Sequence, residues 1–238
     1  MKKIVLISIL FKLFLFTNTE GQDSTYYKYK AFIKKAEENG ASKKTKIALS
    51  YYDSAFNIID YIPYTYYDAF SLAISDSNYF RAKEYLVKGA LKGLDLSAWN
   101  SPEIGLFNNS KFAKEYWIIK DSLLRIHFKS IDIEYYNALE DLKKLDQSKR
   151  GNNSEADIND SLNFDKLIIL SKNKGFPTYK TTGYGHNNAW LILWHNKNKY
   201  PVSLQWQQII PLINNEILKG TIDPDFFKKI EDMKKRIK

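Results

Sequence analysis

The chain has no cysteine, and only three histidines and two methionines in 238 residues. Without cysteine it forms no disulfide, and a chain of this length can do without one because its core is large enough. A metal site would have to be assembled from His186 and His195 with carboxylates. Nine residues apart on one helix, those two rings face opposite sides, so no metal site is expected. No Gly-x-Ser-x-Gly elbow and no phosphate-binding loop occur, and no cofactor is expected. No segment alternates with the two-residue period of a strand, so the mature chain reads as all-α. Past the N-terminus there is no long apolar run. The one present, Ile4 to Phe16, is broken by Ser8 and Lys12 and is shorter than the roughly 20 residues that cross a bilayer.

That N-terminal run reads instead as an export signal. Lys2 and Lys3 precede it, and Thr19 and Gly21 are small residues suited to a cleavage site. Cleavage after Gly21 gives a periplasmic or secreted protein with no transmembrane helix in the mature chain. It removes three lysines and one glutamate, which lowers the formal charge of +9 by two. The remaining lysines are interleaved with acids, as at Lys34, Lys35, Glu37 and Glu38, so they read as solvated helix faces. A nucleic-acid partner is not expected.

Helical spacing runs through 24–38, 43–60, 66–74 and 79–92, with stops at Asn39-Gly40, Pro63 and Gly93. Ala48, Tyr52 and Ala55 recur 34 residues later as Ala82, Leu86 and Gly89, which is the tetratricopeptide period. Small residues at the first and third of these positions let paired helices approach closely, although Phe70 stands where such repeats carry a small side chain. The segment 94–112 resembles the cap that closes the last helix pair. An amphipathic helix follows over 111–128, with Phe112, Tyr116, Ile119, Leu123 and Ile126 in line, and His127 near its end reads as a helix-terminal or surface residue rather than a ligand. The expected architecture is a tetratricopeptide-like α-α superhelix over 22–130, followed by a helical domain over 131–238.

In the second half, a helix carries Tyr135, Leu139, Leu142 and Leu145. The polar stretch 151–161 reads as a flexible connection, and a helix over 162–174 ends at Gly175 and Pro177. Gly183 and Gly185 mark a loop, after which Asn187 caps a helix reaching Asn196. Ser203 begins a helix interrupted by Pro211, Gly220 ends it, and Asp223-Pro224 opens the last one. From Leu139 onward the motifs resemble the bacterial domain-of-unknown-function family six-six-two-four. Asp146-Gln147-Ser148-Lys149-Arg150, Gly175-Phe176-Pro177, Ala189-Trp190-Leu191 with His195, and Ile210-Pro211-Leu212 stand in that family's order. Trp194 replaces the family's glutamine, Met233 replaces an arginine, and the usual Tyr-Gly-Thr-Gln ending is missing. The resemblance implies no substrate.

Asp146, Gln147, Arg150 and His195 are the polar groups expected to converge. A carboxylate beside Arg150 could orient the His195 imidazole, the skeleton of an acid–base site. A buried polar network pinning two helices needs the same residue types, and the missing nucleophile favours it. Seventeen tyrosines could stack on sugars, but at helical spacing they read as the large knobs of repeat packing. The candidate binding residues are Tyr66, Tyr67 and Tyr85 on the repeat surface, and Trp190. The function expected is an exported helical-repeat binding or scaffold protein with a protein or peptide partner. The alternative is a small hydrolase-like enzyme built on His195, Asp146 and Arg150.

Overall fold

The computed structural model describes residues 23–148 and 153–235. The export signal, its cleavage point and Arg150 therefore lie outside the described residues. Among those described, every regular element is helical: twelve α-helices and one 3-10 turn. None of these helices is long and apolar enough to cross a membrane.

The first four helices form two antiparallel pairs. Helix α1 (Asp23–Ala41) packs on α2 (Thr45–Phe56), and α3 (Pro63–Ser75) on α4 (Tyr79–Ala90). Proline opens α3, where its missing N–H is no loss, and the Asn78 side chain caps α4 by accepting from the Arg81 N–H at 3.2 Å. Ala48, Ala55 and Ala82 are fully buried. A Cβ on Gly89 would lie 2.8 Å from Leu94 Cδ2 and 3.0 Å from Tyr66 Cβ, so only glycine allows α4 so close to α3. Phe70 is buried as well, edge-on to Phe107 at 5.7 Å. The segment beyond α4 holds one short helix, α5 (Pro102–Asn108), and sinks Leu94, Leu96, Ile104 and Phe107 into the same core.

Helix α6 (Lys111–Ser130) departs from expectation in its buried face. Ile119 and Ile126 are exposed, and the inward line runs Ala113, Tyr116, Leu124, His127. His127 is only 5% exposed and is not a surface residue. Its ring sits between Gly93 and Gly183, where an added Cβ would approach Nε2 to 2.5 and 2.6 Å. Both glycines have positive φ, +92° and +53°. Burial lowers the imidazole pKa more than the nearby Leu91 carbonyl raises it.

A second core begins at Tyr135 and is built by α7 (Ile133–Ser148), α8 (Asn153–Lys174), α10 (Gly185–His195), α11 (Leu204–Leu218) and α12 (Phe226–Lys235). The same substitution of a polar for an apolar residue recurs on α7: Leu145 is exposed and Asp146 ends the buried line. The expected connection over 151–161 is not a loop from Asn153 on. Those residues form the first turns of α8, with Asp160 and Asn163 buried against α7. Asn163 Nδ2 donates to the Leu142 carbonyl of α7 at 3.5 Å. Asn159 Nδ2 donates to the Leu145 carbonyl at 2.8 Å, satisfying a helix-end acceptor. The expected loop over 178–186 also contains a helical turn, α9 (Tyr179–Thr182), held by a Thr178/Thr181 capping box. Helix α10 starts at Gly185, so Asn187 lies within it rather than capping it. Pro211 does not divide α11, which runs unbroken from Leu204 to Leu218.

The two halves touch directly. Lys30 pairs with Asp223 at 3.2 Å, and the Tyr61 hydroxyl donates to the Gly220 carbonyl at 2.8 Å. The Asn187 carboxamide donates to the Tyr64 hydroxyl at 3.2 Å.

Candidate functional site

Three places concentrate chemistry. The first is where the end of α10 meets α7 and α8. His195 Nδ1 stands 2.8 Å from Asp146 Oδ1, so two of the residues expected to converge do so. Gln147 reaches the same carboxylate, its Nε2 donating to Asp146 Oδ2 at 2.6 Å. Asp160 Oδ1 lies 4.0 Å from His195 Nδ1. The Asp146 side chain is fully buried, while His195 retains 18% of its side-chain surface. Asp146, Asp160 and His195 each offer a ligand-type atom within 4.8 Å of the others. The third partner is thus Asp160 rather than His186. His186 is held at the other end of α10, with Nδ1 2.9 Å from the Pro177 carbonyl oxygen. Asp160 was missed because its segment read as a loop. Both oxygens of Asp146 accept hydrogen bonds, which fixes the imidazole's orientation and ties α7 to α10.

The second place is a groove of 490 Å³ between α1 and α3. Tyr67, Asp68 and Leu72 form one wall, Glu37 and Gly40 the other, and Tyr52 lies beneath. No lysine or arginine is among the residues lining it. Asp68 is open to water at the groove mouth, yet enough protein surrounds it to raise its pKa to about 6, first by desolvation and then through Glu37.

The third is a cleft of 550 Å³ where the two halves meet, lined by Tyr64, Trp99 and Phe128 of the first and Tyr136 and Tyr184 of the second.

The candidate binding residues separate. Tyr67 lines the groove, and its hydroxyl donates to Ser101 Oγ at 3.1 Å. Tyr66 and Tyr85 are corrected to core residues, 3% and 0% exposed. Tyr66 stacks on Phe56 with ring centres 4.0 Å apart. Tyr85 lies under the Arg81 guanidinium at 4.8 Å, and its hydroxyl donates to Asp53 at 3.0 Å. Both fill the interior between helix pairs, so neither presents a ring to a partner. Trp190 is half-buried and lies edge-on to Phe226 at 4.8 Å, beside a separate cavity of 270 Å³.

Comparison with protein-family models, curated proteins and solved structures yields no match of any of the three kinds.

Proposed function

We propose that this chain is an exported helical-repeat protein of the bacterial envelope that binds a protein or peptide partner in the groove between α1 and α3. One observation carries this: a 490 Å³ groove whose charged lining residues, Glu37 and Asp68, are both acidic. A Lys or Arg side chain of an extended partner segment gains two carboxylates there, with Leu72 and Tyr67 offering apolar contact. Tetratricopeptide-like ancestry of the helix pairs is supported by the burial of Ala48, Tyr52, Ala55, Ala82, Leu86 and Gly89 at their contacts. The likeness of the second half to the six-six-two-four family rests on its sequence motifs alone.

A pull-down from envelope extract is expected to return a specific partner, lost when Glu37 and Asp68 are both replaced by lysine. Failure to recover a partner under several conditions counts against the proposal. N-terminal sequencing of the exported protein is expected to start at Gln22, and retention of Met1 would remove the export assignment.

The alternative, a hydrolase-like enzyme, has in its favour the 2.8 Å contact between His195 and Asp146. A structural network accounts for that contact equally well, because Gln147 takes the second Asp146 oxygen. Arg150, its third member, lies outside the described residues.

A further inference from the structure

The cleft between the two halves is distinct from the α1–α3 groove, and its walls are of another kind. Tyr64 stands 6.2 Å from Trp99 and 5.3 Å from Tyr184 between ring centres. Elsewhere in the lining, Phe128 of the first half and Tyr136 of the second meet edge-on at 5.6 Å. Tyr64 and Phe128 remain 38% and 39% exposed, so both rings present surface to solvent. The volume of 550 Å³ lies within the range of about 300–1,000 Å³ typical of small-ligand sites.

Aromatic walls serve two common ligand classes, organic cations and sugars, and the polar groups decide between them. The carboxylates in the lining already have cations. Asp95 pairs with Lys120 at 3.3 Å, and Glu140 with Lys143 at 3.8 Å. Glu140 also accepts from Asn188 Nδ2 at 2.6 Å. Burial alone would raise the pKa of Asp95, but hydrogen bonds from Ser97 and the Lys120 ammonium bring it below its ordinary value. With each acid already paired with a lysine, the net charge of the lining offers an incoming cation less attraction than unpaired carboxylates would. What the cleft offers is flat apolar faces beside a rim of mixed acceptors (Asp95, Glu140) and donors (Lys143, and the Asn187 carboxamide, which donates to the Tyr64 hydroxyl at 3.2 Å). A pyranose ring has the matching surface, with an apolar C–H face for a ring to stack on and a hydroxyl edge that both donates and accepts.

We propose that this cleft binds an uncharged saccharide, stacked on Tyr64 and Trp99 and hydrogen-bonded at Asp95, Glu140 and Lys143.

The test is calorimetric titration of the full-length purified protein with maltotriose, cellotriose and N-acetylated chitotriose, and with choline as a cationic probe. At least one trisaccharide is expected to bind saturably, with little change on raising salt. Trp99→Ala should weaken that binding about tenfold, the order expected for losing one stacked ring. Tyr64→Ala, at a partly exposed position whose loss leaves the core intact, should weaken it similarly while the helical circular dichroism stays unchanged. Saturable choline binding without any sugar binding overturns the proposal, as does no binding of any trisaccharide, or sugar binding that survives Tyr64→Ala in full. None of these results bears on the α1–α3 groove, which the Glu37 and Asp68 substitutions test separately.

Discussion

Two residues, His127 and Asp146, show where inspection of single positions misleads. Each follows an apolar residue, Ile126 or Leu145, that carries the hydrophobic periodicity of its helix. Each nevertheless takes the buried place. For His127 the reason is spatial: Gly93 and Gly183 leave a slot that only the absence of two Cβ atoms provides. Gly183→Ala should therefore cost ~1–3 kcal/mol of unfolding free energy, read by urea denaturation. Combining it with His127→Ala should recover part of the loss, because the collision partner is gone. Additive costs would mean that the ring is not what Gly183 accommodates. Asp68 is a second residue-scale case. Its folded-state pKa of about 6 lies above the ordinary 3.8, so the folded protein holds the proton more tightly than the unfolded chain does. That contribution is complete below about pH 4 and is lost as pH rises through 6. Asp68→Asn, which resembles the protonated form, should thus gain stability relative to the parent between pH 4 and 7. A stability difference that stays flat over this range would contradict the assigned shift.

At the scale of elements, the helix ends were the most legible feature. Gly93, Gly175 and Gly220 end helices with φ of +92°, +82° and +70°, where a side chain costs energy. Ser203 caps α11 by accepting from the Trp206 N–H at 3.3 Å. Helices starting in polar sequence were not legible. The first turns of α8 carry asparagine and aspartate, which favour turns in isolation, and it is tertiary contact with α7 that makes them helical. Asn159→Pro discriminates between the two states. Inside α8 the change removes a backbone hydrogen bond as well as the side-chain bond to Leu145 and should cost about 3 kcal/mol or more, whereas in a loop only the side-chain bond is lost. A thermal melt showing no loss would return 153–161 to a loop.

At the scale of the molecule, the all-α class followed from periodicity, but the candidate site was only partly legible. His195 and Asp146 were found because each sits at a helix end in a recognisable motif, and they meet at 2.8 Å. Asp160 escaped notice with its helix. The groove and the cleft were hidden for another reason: their walls come from elements distant in sequence, and tyrosines at helical spacing look alike whether they face a core or a cavity. Tyr66 and Tyr85 went inward, while Tyr64 and Tyr67 stayed at surfaces. Packing alone separates them.

The proposed binding function stands or falls with the acidic groove. Panning a displayed library of random decapeptides against the purified protein at pH 7 should enrich sequences carrying lysine or arginine. The enrichment should disappear with the Glu37→Gln, Asp68→Asn double variant, and should weaken at pH 5, where Asp68 is largely protonated. Enrichment of peptides without basic residues, or equal enrichment by parent and variant, would contradict a groove that selects its partner by charge.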